Sequence, residues 1–169
     1  MRMPPRIKAL EAASAVAAGR VERLGDGCFR VVSSDGSRVY RVYVDPRAGV
    51  AYSDDNGTRL RGYIGYPIIA ALMALGVVPY DEAVGETLRG VPWRRWNEEL
   101  RKYSLVLERV YRVAEEKGVP RRRLEEYIER VLAALRGLRL RRLGQPPLEC
   151  MEAGGVGEAG RGGAGRAQD

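Results

Sequence analysis

A chain of 169 residues has room for one domain of ordinary size with a helical extension, and none for a second catalytic domain. Lys and Arg number 29 against 22 Asp and Glu, a net charge of +7 with a pI near 9.7, which is the electrostatic footprint of a polyanionic partner. With no histidine and two distant cysteines, Cys28 and Cys150, a zinc cluster, a Cys/His nucleophile, a serine triad and an imidazole acid/base are all excluded. Only Lys8, Lys102 and Lys117 are lysines, so arginine carries nearly all the positive charge, as a GC-rich genome alone would also produce. Cys28, inside an expected strand, reads as a small core hydrophobe, and the sparse thiols read as a reduced, cytoplasmic protein without a disulfide frame. The N-terminal residues lack the apolar core of a signal peptide, and no apolar run reaches membrane-spanning length. High charge with few amide side chains fits a thermophile.

From Pro5 to Ala18, Ile7, Leu10, Ser14 and Ala17 recur at helical spacing and Gly19 supplies a stop, which predicts a packing helix. Four short runs follow, Val21–Leu24, Cys28–Ser33, Arg38–Val44 and Val50–Ser53, separated by GDG, SSDGS and DPRAG and followed by DDNG. Asp-Gly and Asn-Gly permit the positive backbone angles of tight reversals, so the runs predict a four-stranded antiparallel meander. Alternation places Phe29, Val31, Tyr40, Val42, Val44, Val50 and Tyr52 on one parity and Arg30, Arg41 and Tyr43 on the other. An outer face of arginine and tyrosine is either a binding platform or an ordinary solvated surface.

RLRGYIGYP then leads into an all-apolar helix, Ile68–Leu75, opened by Pro67 and closed by Gly76. A second short helix is predicted over Asp81–Leu88. Beyond it Trp93, Trp96, Leu100, Tyr103, Leu107, Val110 and Ala114 recur at steps of three and four in one long helix. Gly118 and Pro120 break it, and Leu124, Ile128, Val131, Leu135 and Leu138 continue the spacing in a second. Two matched seams predict an antiparallel helical hairpin across which either this chain or a second copy packs, and their length relative to the small domain favours subunit association. The tail from Gly144 has no periodicity and reads as a disordered Gly-rich end with net negative charge. The expected organisation is therefore α+β: residues 1–90 an α+β nucleic-acid-binding domain with a small antiparallel four-stranded sheet packed with helices, 91–143 a C-terminal helical hairpin for oligomerisation, and 144–169 the tail.

Between Arg38 and Tyr66, tyrosines and arginines interleave. Aromatic rings stack unpaired bases at ~1–3 kcal/mol each, and guanidiniums pair with phosphates regardless of sequence. The bland alternative makes half the tyrosines core and the arginines a solvated face. No Walker A loop, dinucleotide fingerprint or GxSxG is present, and Asp45, Asp54 and Asp55, the only clustered carboxylates outside the expected helices that could hold Mg²⁺, sit where turns collect aspartate for their own backbone. The reading is of a binder without a cofactor or a catalytic or metal site.

RVYRVYVDPRAGVAYSDD, RLRGYIGYPIIAALM and GVPWRRWNEELRKY, spanning Pro5 to Tyr103, resemble the N-terminal domain of ThermoDBP and the ThermoDBP-related proteins of hyperthermophilic archaea. The resemblance implies binding of single-stranded DNA without sequence preference, a role in genome maintenance, and a C-terminal part that assembles a homo-oligomer, in one group a tetramer threading DNA between subunits. The chain departs from ThermoDBP itself in its hairpin and tail. The candidate phosphate contacts are Arg30, Arg41, Arg59, Arg61, Arg94 and Arg95. The candidate stacking rings are Tyr43, Tyr52, Tyr63, Tyr66, Trp93 and Trp96. A fainter similarity, to a SWIM zinc finger, has Ala51, Ser53, Gly65 and Pro67 where the zinc ligands would stand, so it implies no metal and fits instead an oligomeric interaction scaffold. An RNA-binding protein is a further alternative.

Overall fold

In the computed structural model, which describes residues 1–153, α1 (Ile7–Ala17) leads into a meander of β1 (Val21–Gly25), β2 (Cys28–Val32), β3 (Val39–Asp45) and β4 (Val50–Ser53). The remaining helices are α2 (Asn56–Arg61), α3 (Tyr66–Ala74), α4 (Glu82–Leu88), α5 (Trp93–Leu100), α6 (Tyr103–Glu116) and α7 (Arg121–Leu138), and a two-residue strand β5 (Arg141–Arg142) follows. The architecture is α+β.

Strand order is β1-β2-β3-β4-β5. The first four strands pair antiparallel as their turn chemistry predicts, but β5 adds a fifth, parallel to β4, so the sheet is mixed. The Arg141 amide donates to the Gly49 carbonyl and Leu143 to Ala51, both at 2.8 Å. Two arginines carry no strand propensity; their pairing follows from where α7 delivers the chain.

The register also corrects one parity. Tyr43 pairs with Tyr52 and Asp45 with Val50, so Tyr52 and Val50 share the face of Tyr43, while Ala51 and Ser53 point inward and are buried. Cys28, opposite Tyr43, lies on this outer face as well.

Behind the sheet, α1 is buried from Ile7 through Ala15, because its alanines present almost no bulk and let α3, α4 and α7 close around it. Its Ser14 is a polar knot in the core: Trp93 Nε1 donates to Ser14 Oγ at 2.9 Å, and Ser14 Oγ donates to the Leu88 carbonyl at 2.9 Å. In α3, Ile68, Ile69 and Leu72 are wholly enclosed. Each such side chain stabilises the fold by about 1.5–3 kcal/mol through burial.

The expected single helix from Trp93 is two. Arg101 takes a left-handed conformation, φ 57° and ψ 0°, and its amide closes α5 on the Asn97 carbonyl. A non-glycine residue there costs ~1–2 kcal/mol, and the turn it makes brings Tyr103 beside α1. The seam residues Val110, Ala114, Leu124, Ile128, Val131 and Leu135 pack into the same core as α1 and α3. The apolar face assigned to subunit pairing is thus consumed within the chain.

The cysteines are joined. A disulfide links Cys28 on β2 to Cys150, with Cα atoms 5.4 Å apart, which overturns the expectation of free thiols. Residues 144–153 are accordingly placed against the sheet, with helix over 148–153; the expectation of disorder for the rest of the tail lies outside the described residues.

Candidate functional site: an arginine-rimmed cleft

A polar cleft of about 400 Å³ opens at the end of the sheet where β2 and β4 finish and β3 begins. One wall is α2 and the turn after it. Asp55 caps α2, accepting from the Thr58 amide (3.1 Å), Thr58 Oγ1 (2.8 Å) and Ser53 Oγ (2.5 Å). The Asn-Gly pair that reads as a hairpin turn is therefore the first turn of a helix. Two glycines create this wall by what they lack: a Cβ at Gly65 would collide with the Asp55 carboxylate, and one at Gly57 with the Tyr63 ring. Of the glycines of GYIGY, Gly65 is thus accounted for by the close fit of the chain's own groups, and Gly62 by the left-handed conformation, φ 70°, in which it ends α2.

The floor comes from α1. Lys8 and Glu11, 8% and 6% exposed, form an ion pair at 2.8 Å. Lys8 Nζ lies 5.0 Å from the centroid of the Tyr103 ring and 5.8 Å from that of Tyr66. Burial opposes the charge on Lys8, but Glu11 and the tyrosines outweigh it and hold the ammonium above its usual range. Burial also pushes the Tyr63 and Tyr66 phenols up, so both stay neutral donors. Tyr63 and Tyr103 approach hydroxyl to hydroxyl at 3.4 Å, and Tyr40 stands edge-on to Tyr66 at 6.0 Å. Asn97 Oδ1, on the opposite wall, is buried without a hydrogen-bond partner.

The rim is cationic. Arg38 immediately precedes β3, Arg59 and Arg61 lie on the last turn of α2, and Arg94 projects from α5. Among the described residues the guanidiniums of Arg38, Arg59 and Arg61 have no carboxylate partner, whereas Arg94 is held by Ser37 Oγ (2.6 Å), Glu98 (3.2 Å) and Asp35 (3.4 Å). Such a mouth attracts anions, and planar guanidiniums match phosphate oxygens two at a time.

The structure divides the residues chosen from sequence. Arg59, Arg61 and Arg94 line the cleft together with Tyr63 and Tyr66, but these two rings, expected to stack bases, are 7% and 8% exposed and present little surface to a ligand. Arg30, Arg41 and Tyr52 line a second cavity, of about 720 Å³, on the outer sheet face, with Tyr43 beside Tyr52. Tyr40 and Asp54 belong to both. Trp93 is 1% exposed and bonded to Ser14, so it stacks on no ligand; its indole is core. Trp96 is half-buried with the Arg109 guanidinium 5.2 Å from its ring, and Arg95 faces Glu99 at 3.7 Å outside the cleft. Sequence reasoning placed Arg38 and Tyr40 in the tyrosine–arginine stretch without choosing them as contacts, and it missed Lys8, Glu11, Asn97 and Tyr103. A lysine and a glutamate three apart in an otherwise apolar, alanine-rich helix were the available signal.

The carboxylates considered for Mg²⁺ are engaged locally: Asp45 accepts from the Arg47 and Ala48 amides, Asp54 from the Arg41 amide, and Asp55 caps α2. Among the described residues no three His, Cys, Asp or Glu side chains gather as a metal-holding group, and no helix is long and apolar enough to cross a membrane.

No curated protein and no solved structure matches the chain. A family model does, over residues 1–141, a span that contains the whole cleft, and the chain belongs to that family, the Uncharacterised conserved protein UCP014422.

Proposed function

We propose that the protein binds single-stranded DNA without sequence preference, with the strand crossing the arginine-rimmed cleft. Phosphates pair with Arg38, Arg59, Arg61 and Arg94, and one base enters against Tyr40 and Tyr103, with the buried Tyr63 behind them. The observation that supports this most is the convergence of three carboxylate-free guanidiniums and a fourth on one concavity with phenol rings inside it. A cleft of about 400 Å³ takes one nucleotide at a time, too little for a duplex. In this reading affinity rests on charge and stacking, neither of which depends on the base. The resemblance to ThermoDBP-related proteins points the same way, and the reading requires binding alone, without catalysis.

The test is a fluorescence titration with labelled oligothymidine, the matching oligouridine and a hairpin duplex, at two salt concentrations and with or without Mg²⁺. The expected result is preference for the single strand, with a log–log salt slope of roughly −3 for four phosphates at ~0.7 each. Equal affinity for the hairpin overturns the reading, a marked preference for oligouridine transfers it to RNA, and cleavage on adding Mg²⁺ replaces binding with a nuclease.

A further inference from the structure

The outer sheet face contains a half-made anion site under a cover. Arg30 and Arg41 are directly opposed across β2 and β3, two like charges on one face. Glu22 pairs with Arg30 Nη2 at 2.7 Å, Arg41 has no carboxylate partner among the described residues, and Arg30 Nε is buried with no acceptor at all. A desolvated guanidinium N–H beside a second guanidinium calls for an oxygen anion, and the Tyr52 ring lies on the same cavity. Because Tyr40 and Asp54 line both this cavity and the cleft, the two adjoin.

What covers the cavity is the segment after β5, whose Gln145, Pro146, Met151 and Ala153 form its far wall. That segment holds the sheet weakly. Past Leu143 its backbone hydrogen bonds, from the Cys150 and Met151 amides to the Pro147 carbonyl, stay within itself. No side-chain hydrogen bond or ion pair among the described residues ties 144–153 to the sheet, and Leu148 and Met151 are 69% and 45% exposed. The tie is the Cys28–Cys150 disulfide.

We propose that Arg30, Arg41 and Tyr52 are a second phosphate-and-base subsite for the strand held in the cleft, and that the Cys28–Cys150 disulfide is a latch that keeps it covered until a dithiol reductant opens it. This rests on the cleft binding single strands. A thiolate of the reductant attacks one sulfur, the Cys28–Cys150 bond breaks, and the departing thiolate takes a proton. The second thiol of the reductant then displaces the mixed disulfide, so two electrons and two protons end on the cysteines and the reductant leaves oxidised. Both sulfurs are buried, so the exchange waits on fraying of 148–153.

The experiment titrates labelled oligothymidine into four full-length proteins: oxidised, reduced with dithiothreitol, Cys150→Ser, and Cys150→Ser carrying Arg30→Ala and Arg41→Ala. Thiol alkylation verifies each redox state, and circular dichroism verifies folding. Reduced protein and Cys150→Ser are expected to bind about tenfold tighter than oxidised protein, with a salt slope steeper by about 1.4 for two added phosphates. The arginine substitutions are expected to return affinity to the oxidised level. Binding that is present but indifferent to reduction overturns the latch and leaves the cleft standing. A gain that survives the arginine substitutions overturns the subsite. Absence of binding in every state overturns the cleft reading and this one with it.

Discussion

The cleft and the first turn of α7, in the α6–α7 hairpin, are both rich in arginine, yet they dispose of the charge in opposite ways. At that turn Arg121 meets Glu125 at 2.8 Å and Glu108 at 3.0 Å, Arg122 meets Glu126 at 2.8 Å, and Arg123 meets Asp81 at 3.2 Å. At the cleft, the acidic groups are buried or spent on the backbone: Glu11 on Lys8, Asp55 on the cap of α2, Asp54 on the Arg41 amide. The rim guanidiniums of Arg38, Arg59 and Arg61 are left without carboxylates. Arginine content does not distinguish the two regions; the fate of the neighbouring carboxylates does. A surface whose arginines are paired has its field largely cancelled, while one whose carboxylates are sequestered presents positive charge to a ligand.

The contrast breaks most severely at the buried pair. Lys8→Met strands Glu11 in a site only 6% exposed, and an uncompensated buried charge costs ~3–5 kcal/mol. Chemical denaturation is expected to show that loss, and Lys8→Met with Glu11→Leu is expected to recover most of it. If the single variant is as stable as wild type, the pair is wetter than the packing around it indicates. Next in size is Gly65→Ala. Gly65 has an ordinary φ of −69°, so the cost comes from crowding the Asp55 carboxylate, about 1–3 kcal/mol, with weaker oligothymidine binding as α2 and its arginines shift. Unchanged stability and binding would show that the cap has slack.

An acid titration sharpens the comparison on the hairpin side. Burial alone would raise the Asp81 carboxyl, but the Val84 amide and Arg123 on α7 together hold it below its usual range. Its folded value is depressed, so the stability it contributes is present above the unfolded value and is lost as pH falls through the folded one, below about 4. Asp81→Asn, which keeps the cap oxygen, is expected to remove that part of the pH dependence in thermal melts between pH 2 and 6. An unaltered profile contradicts the assignment. Smallest is Arg122→Ala, which removes an exposed pair and is expected to change stability by less than about 0.5 kcal/mol.

Where side-chain period and turn chemistry acted locally, the sequence was readable. Alternating apolar residues between Asp-Gly turns place β1 to β3, Pro67 and Gly76 bound α3, and Asp81 caps α4. What escaped it is set by distance in the chain. The two cysteines are 122 residues apart, and spacing of that kind carries no pairing signal. β5 pairs because α7 ends beside β4, and the Arg101 break occurs among good helix formers because Tyr103 packs against Lys8. Half of the cleft was visible as the arginines and tyrosines of RLRGYIGY. Lys8 and Glu11 stayed hidden, because a charged pair on a packing helix looks like solvated surface until the rest of the fold closes over it.

The central claim is that carboxylate-free arginines at the cleft, and not arginines in general, bind the strand. It is tested by titrating labelled oligothymidine into the wild type, Arg59→Ala with Arg61→Ala, and Arg121→Ala with Arg122→Ala. The account predicts at least about a tenfold loss and a salt slope flatter by about 1.4 for the cleft pair, with the hairpin pair unchanged. Equal losses from both pairs, or none from the cleft pair, would contradict it.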